Sequence, residues 1–270
     1  MLYICGTPIG NLQDITIRQL ETLKTVDIIA AEDTRHSQKL LNHYNITTPL
    51  TSYHSHSTDK KTKYLLSSMQ NGKKIALITD SGMPLISDPG LDIVRMCCEN
   101  DIPITTVPGP CAFVSGLIMS SFDTTSFTFF GFLSKKQKKD LSFLSNHEQT
   151  IVLLEAPHKL IKTLYLLKGS LGENRPIAIS KEITKLYEHT LRTTIDGAIE
   201  HYEQTPPKGE FVITIDGAKQ KPQVESTIPL SEQVANYQTK GISKKDAIKL
   251  VAKDMGLKKS VVYGAFIKSE

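Results

Sequence analysis

Lys74 to Pro89 reads KIALITDSGMPLISDP, and the fold is decided in this run. Ile75 to Thr79 is apolar and partly β-branched, with no polar alternation, which predicts a strand covered on both faces. The chain then becomes polar and constrained through Asp80, Ser81, Gly82, Met83 and Pro84. Gly82 permits positive φ there, and Pro84 fixes φ near about −65°. Asp88-Pro89 follows as an N-cap acid and a first-turn proline, predicting a helix from Gly90 to Glu99. A constrained loop at the carboxyl end of a parallel strand is where open α/β sheets bind small molecules. The same residues also make an ordinary strand-turn-helix connection. The stretch by itself leaves both readings open.

Working outward, strand-like runs recur at Leu2–Cys5, Asp27–Ala31, Pro49–Tyr53 and Ile104–Val107, with helical patterns at Ile15–Lys24, Ser37–Tyr44, Thr58–Gln70 and Leu91–Glu99. This alternation predicts a mostly parallel sheet with helices on both faces. The texture changes after a helix beginning near Pro110. Runs at Phe127–Phe130, Ile151–Leu154, Ile177–Ser180, His189–Thr193 and Phe211–Ile215, with a helix at Lys159–Leu167, predict a second α/β domain with some antiparallel pairing. We therefore expect α/β domains over residues 1–118 and 119–218 and a polar linker over 219–229. A helix-turn-helix-like domain follows over 230–270, with helices at Leu230–Tyr237, Lys244–Met255 and Lys259–Ile267, Ser243 leading the second and Gly256 in the turn.

A chain of 270 residues can bury two modest cores. Residues 221–270 hold nine lysines against five acidic residues, which accounts for the whole formal charge of +4. A neutral body with a basic tail predicts an appendage that faces a polyanion, although a lysine-rich helical face in solvent has the same composition. The four cysteines include no C-x-x-C, which argues against a disulfide framework or a zinc site. No apolar run approaches the roughly 20 residues of a membrane span. The chain enters a strand at Leu2, so a cytoplasmic protein is expected.

The remaining motifs also sit at predicted strand ends. Gly6 to Leu12 (GTPIGNL) is glycine-rich but matches neither the dinucleotide nor the P-loop pattern. Pro8 pins its backbone, and a tight turn is the alternative reading. Ala31 to Arg35 (AEDTR) offers two carboxylates that can orient an alcohol or accept its proton, while Asp33 or Thr34 can equally cap the next helix. His54 and His56 lack a nearby third ligand, so a polar loop is preferred to a metal site, and no metal is expected. Lys135, Lys136, Lys138 and Lys139 form a basic run after Gly131-Phe132-Leu133. Pro108 to Ala112 (PGPCA), Glu155-Ala156-Pro157-His158, Lys181 to Glu188 and Lys208-Gly209 complete a set that would furnish a cleft.

Assembled, GTPIGNLQDIT, AEDTR, SYHSHS, TDSGMPLISDPG, PGPCA, GFL, EAPHKL, KEITKLYE and KGEFV resemble the tetrapyrrole-methylase superfamily of S-adenosylmethionine-dependent methyltransferases. Within it, the chain is most similar to the bacterial small-subunit ribosomal RNA cytidine 2′-O-methyltransferases, over roughly the first 215 residues. It departs from them at Ser81, where alanine is usual, at Leu154-Glu155-Ala156, where a Tyr-Glu-Ser run is usual, and at Lys159 and Lys181, where arginines are common.

The resemblance implies the class III methyltransferase fold of two α/β domains, often as a homodimer, with S-adenosyl-L-methionine in the cleft between lobes. Asp80, Ser81, Gly82, Met83, Pro84, Pro110, Cys111 and Ala112 would hold the donor from the first domain. Glu155, Ala156, Pro157, Lys208 and Gly209 would face it from the second, with Pro8 near the acceptor side. The implied substrate is 16S ribosomal RNA or the small ribosomal subunit, methylated on a cytidine ribose of the decoding region, with the basic tail seating the RNA. Candidate catalytic residues are Glu32 as base or orienter, Arg35 on a neighbouring phosphate, and Lys181 or Lys185 beside the developing alkoxide. Asp88-Pro89 is read mainly as the cap that stiffens the loop. The alternatives are a tetrapyrrole or modified-histidine methyltransferase of the same superfamily, and a non-catalytic RNA-binding assembly factor.

Overall fold

A computed structural model describes residues 1–54, 59–134, 137–218, 228–255, 257 and 259–267. Residues 219–227 of the linker expected over 219–229, with His56, Lys135, Lys136 and Gly256, lie outside the described residues. The described chain forms two compact units, Met1–Gly217 and Ala218–Glu270.

The first unit opens with β1 (Leu2–Cys5), α1 (Ile17–Thr25), β2 (Ile28–Ala31), α2 (Thr34–His43), β3 (Leu50–Ser52), α3 (Asp59–Gln70), β4 (Ile75–Ile78), α4 (Leu91–Glu99) and β5 (Ile104–Val107). The five strands make one parallel sheet in the order β3-β2-β4-β1-β5. Every residue of β2 and β4 is buried, as unbroken apolar runs require when helices cover both faces. One core cluster lies around Leu2, Leu65, Ile75 and Leu77, and another around Cys5, Leu23, Ile29 and Ile78. The helices start where capping chemistry puts them. The Thr16 side chain accepts from the Gln19 amide for α1, and Asp33 accepts from the Arg35 amide for α2.

After α5 (Ala112–Ser120) come β6 (Phe127–Gly131), α6 (Gln137–Ser145), β7 (Thr150–Glu155), α7 (Leu160–Leu171), β8 (Pro176–Lys181), β9 (His189–Thr194), α8 (Ile195–Gln204) and β10 (Phe211–Ile215). The second sheet runs β6-β7-β10-β8-β9, with β6 and β7 parallel and the other neighbours antiparallel. α5 leaves the first sheet and packs on β7, β8, β9 and β10 of the second. Gly116 lets it do so: a Cβ there would lie 2.5 Å from Val212 Cγ1. Ile9, Leu117, Val152, Ile183 and Val212 form a small apolar cluster between the two sheets.

The second unit contains α9 (Leu230–Gln238), α10 (Lys244–Asp254) and α11 (Lys259–Ile267), closed around Val234, Ile248, Val251, Val262 and Phe266. The Ser243 side chain accepts from the Asp246 amide and starts α10. Among the described residues no helix is long and apolar enough to cross a membrane.

One expectation fails at the deciding stretch. α4 begins at Leu91 with Gly90 at its N-cap, φ 138°, and no side-chain cap. Asp88 is not the cap. Leu85 and Ser87 both take positive φ, 71° and 68°, and this winding gives Asp88 a different place. A Cβ on Gly90 would lie 2.8 Å from Leu77 Cδ2, so the chain needs glycine where the loop closes onto the core.

Candidate active site

The loops after β1 and β4 lie side by side because their strands are neighbours. Thr7 and Gly82 exchange two backbone hydrogen bonds of 2.8 and 3.1 Å, and Thr7 Oγ1 donates to the Thr79 carbonyl at 3.0 Å. On one side of this seam lies a cavity of about 370 Å³ between the two sheets. From the first sheet, Ile9, Ser81, Gly82, Met83, Ser87 and Asp88 line it. The start of α5 adds Cys111, Ala112 and Phe113. The second sheet adds Leu154, Glu155, Ala156, Pro157, Ile183, Glu210, Phe211 and Val212. Its size suits a small organic ligand.

The charge of the lining is distinctive. Asp88, Glu155 and Glu210 are acidic, and no Lys or Arg is among the described lining residues. Glu155 is buried, and both its oxygens are engaged: Oε1 accepts from the Ala156 amide at 2.9 Å and Oε2 from Thr163 Oγ1 at 2.6 Å. It fixes the Glu155–Pro157 turn. Asp88 is different. Burial first, then the neighbouring Glu32 and Asp80 carboxylates, push its pKa up to about 6, with the nearby Thr79 hydroxyl acting to lower it. Glu32 lies behind it and accepts from Thr79 Oγ1 at 2.7 Å. Asp80 Oδ1 accepts from the Asp33 amide at 3.1 Å and so ties the end of β4 to the end of β2.

The expected donor residues divide. Ser81, Gly82, Met83, Cys111, Ala112, Glu155, Ala156 and Pro157 line the cavity. Pro8 and Asp80 line a second hollow of about 210 Å³ with Thr7, His36, Lys39 and Thr79. Lys208 is in a third, with Lys181, Tyr202 and Phe211. Pro84 is buried without facing the cavity, and Pro110 is not among the lining residues, its carbonyl oxygen lying 3.7 Å from where a Cβ on Gly82 would stand. Gly209, φ 92°, packs on the Glu182 side chain.

Of the expected catalytic residues, Arg35 is exposed and paired with Asp33 at 3.4 Å. The Arg35 amide and side chain in turn hold Asp33 below the usual carboxylate range. Lys185 Nζ donates to Glu182 Oε1 at 3.1 Å and Glu210 Oε2 at 3.0 Å. Its stem lies across Gly10, whose added Cβ would be 2.6 Å from Lys185 Cγ. Burial works to lower the Lys185 pKa, but the two carboxylates outweigh it and the net direction is up. The loop carrying Lys185 takes positive φ at Glu182 and Thr184 and exposes Leu186 and Tyr187 at its tip.

Sequence reasoning passed over Asp88, Ile9, Phe113, Ile183, Glu210 and Phe211 as site residues. The local signature of Asp88 is that of a cap, and the others are ordinary strand, turn and helix residues. Only the fold brings them together. Among the described residues no group of three His, Cys, Asp or Glu side chains is placed to hold a metal ion.

The pattern of the Tetrapyrrole (Corrin/Porphyrin) Methylases matches residues 1–199. A Synechocystis protein named ribosomal RNA small subunit methyltransferase I is 41% identical over 274 residues, covering 100% of this chain and 98% of its own. A Thermotoga maritima protein of the same name is 42% identical over 218 residues, covering 80% of this chain and 98% of its own. Among solved structures, a cobalt precorrin-4 methyltransferase superposes with a TM-score of 0.58 at 19% identity, covering 80% of this chain and 94% of that one. At that identity the superposition speaks for the fold alone.

Proposed function

The chain belongs to the tetrapyrrole methylases and, within them, to the ribosomal RNA small subunit methyltransferase I family; from that premise we propose that it transfers a methyl group from S-adenosyl-L-methionine to the 2′-hydroxyl of a cytidine in 16S ribosomal RNA. The cavity carries this reading. Asp88 and Glu155, with Glu210 balanced by its ion pair to Lys185, favour a cationic sulfonium over a phosphate-bearing nucleotide. Small residues at Gly82, Ala112 and Ala156 leave room for the ligand, and Ile9, Met83, Phe113 and Val212 offer apolar surface to an adenosyl group. The residues present fit the donor.

Bound there, the donor supplies a methyl group on a good leaving group, and the protein's main task is alignment. Holding the acceptor oxygen in line can supply about 7 kcal/mol or more of the barrier. The seam joins the two hollows: Gly82 lines the donor cavity, and its partner Thr7 lines the hollow holding Pro8, His36 and Lys39. Lys39 in that hollow supports reading it as the acceptor side, and exposed Arg35 is suited to an RNA phosphate. Lys185, held charged by Glu182 and Glu210, lays its stem across Gly10 and so positions the loop after β1. Tyr187, 74% exposed on the same loop, offers an unstacked base a stacking face.

The second unit serves the RNA. Lys245, Lys249 and Lys259 surround one hollow on α10 and α11, while Lys244 lies 4.5 Å from the Phe266 ring centroid. Such a surface binds phosphates through charge. The Thermotoga relative is spanned almost completely by a match of 218 residues, close to the length of the unit Met1–Gly217. That supports reading the helical unit as an aid to substrate binding, separate from methyl transfer.

The test is to map 2′-O-methyl groups in small-subunit RNA from cells with and without the gene, and to restore the missing one with purified protein, donor and small subunits. One cytidine whose 2′-O-methyl group disappears and returns is expected. An unchanged methylation map rules the reading out.

A further inference from the structure

The geometry points to Asp88 as the group that takes the proton from the acceptor hydroxyl, a role that rests on the reading of the protein as a ribose methyltransferase. Asp88 lines the donor cavity, and Glu32 and Asp80 do not. The loop that carries it is wound against its own preferences: Leu85 and Ser87 take positive φ, and Gly90 occupies the cap position that the Asp-Pro signature would have given Asp88. Strain of this kind persists where the surrounding structure over-determines it, often at functional sites.

The charged groups around Asp88 suit the role. Glu32 at the end of β2 and Asp80 after β4 stand behind it, with the Thr79 hydroxyl. Glu155 and Glu210 share its cavity from the second sheet, Glu210 being paired with Lys185 at 3.0 Å. Burial and the like charges raise the pKa to about 6. Such a carboxylate is ionised at neutral pH yet more basic than an ordinary one, which is the compromise a general base needs. In the step, the acceptor oxygen forms a bond to the methyl carbon and the carbon–sulfur bond breaks, its electron pair leaving with sulfur as a neutral thioether. The hydroxyl proton passes to the Asp88 carboxylate. Glu32 is then a positioning residue: it fixes Thr79 and keeps Asp88 basic.

Two measurements test this. The first is the titration of the Asp88 carboxyl by NMR in the free protein. It should lie near pH 6 in the parent and move lower in Glu32→Gln, which removes a like charge. The second is single-turnover methyl transfer into small subunits against pH, with donor affinity measured by calorimetry. The parent should lose rate below about pH 6; Asp88→Asn, measured at saturating donor, should react on the order of 100-fold more slowly and lose that limb; and Asp88→Glu should recover part of the rate. An active parent with an Asp88→Asn variant that keeps its rate overturns the inference alone. So does loss of donor binding in both Asp88 variants, which would make the residue structural. A parent that methylates no ribosomal RNA overturns the ribose reading, and this inference with it.

Discussion

Lys185 and Glu210 meet at 3.0 Å across the edge of the donor cavity, with Glu182 on the other side of the ammonium at 3.1 Å. The pair joins the β8–β9 loop to the start of β10 while the lysine stem covers Gly10 of the first sheet. One side chain therefore couples three segments.

Replacing Lys185 by Met should cost about 1 kcal/mol, since the bridge is partly exposed, and should lower turnover more than donor affinity. Its pKa is raised above the unfolded value, so its stabilising contribution is complete below the unfolded pKa and is lost only as pH rises through the higher folded value. Urea midpoints for parent and Lys185→Met should therefore differ by a constant amount from pH 6 to 9 and converge only in stronger alkali.

Asp88 predicts the opposite sign. Between its ordinary value of 3.8 and about 6, the native protein holds a proton that the unfolded chain has released, so stability falls as pH rises through that window. After discounting for partial exposure, the ionised residue costs about 1–2 kcal/mol at pH 8. Asp88→Asn should therefore melt several degrees higher than the parent at pH 8 while reacting far more slowly, and the gain should shrink towards pH 4. Differential scanning calorimetry at the two pH values reads this directly.

Gly116 and Val212 test the packing of α5 on the second sheet. A methyl group at Gly116 would sit 2.5 Å from Val212 Cγ1, and overpacking of this kind costs about 1–3 kcal/mol. Val212→Ala removes the obstructing methyl groups and costs a comparable amount through the cavity it leaves. The double variant should be more stable than the two single losses add up to, a coupling that denaturant melts of all four proteins would measure. Additive losses would show that the helix shifts without resistance.

For the helical unit, replacing Lys245, Lys249 and Lys259 together by Ala should weaken RNA binding and flatten its dependence on salt. Removing one lysine that neutralises a phosphate lowers the log–log slope by about 0.7–0.9, so the slope should fall by about 2 to 3. Donor affinity should not change. Filter binding at several salt concentrations measures the slope, and an unaltered one would place the RNA elsewhere.

The alternation of buried strands and amphipathic helices, the caps at Asp33 and Ser243, and the rigid loop at Asp80 to Pro84 were all legible in the sequence, because each depends on residues a few positions apart. So were several residues of the cavity wall, among them Met83, Ala112 and Glu155. The Lys185 packing over Gly10, the separation of Pro8 and Asp80 from the donor cavity, and the shared hollow of Lys181 and Lys208 were not. No local pattern encodes which strands become neighbours.

Asp88 marks the division most clearly. By itself, the sequence determined that an acid and a proline precede a helix, and local chemistry makes that pair a cap. Only the tertiary structure decided otherwise. Packing of Gly90 against Leu77 accompanies a cap at Gly90 in place of Asp88, and strands distant in sequence bring Glu32 and Asp80 beside the freed carboxylate. A carboxyl group's ionisation is set by the charges and burial around it, and those are properties of the fold.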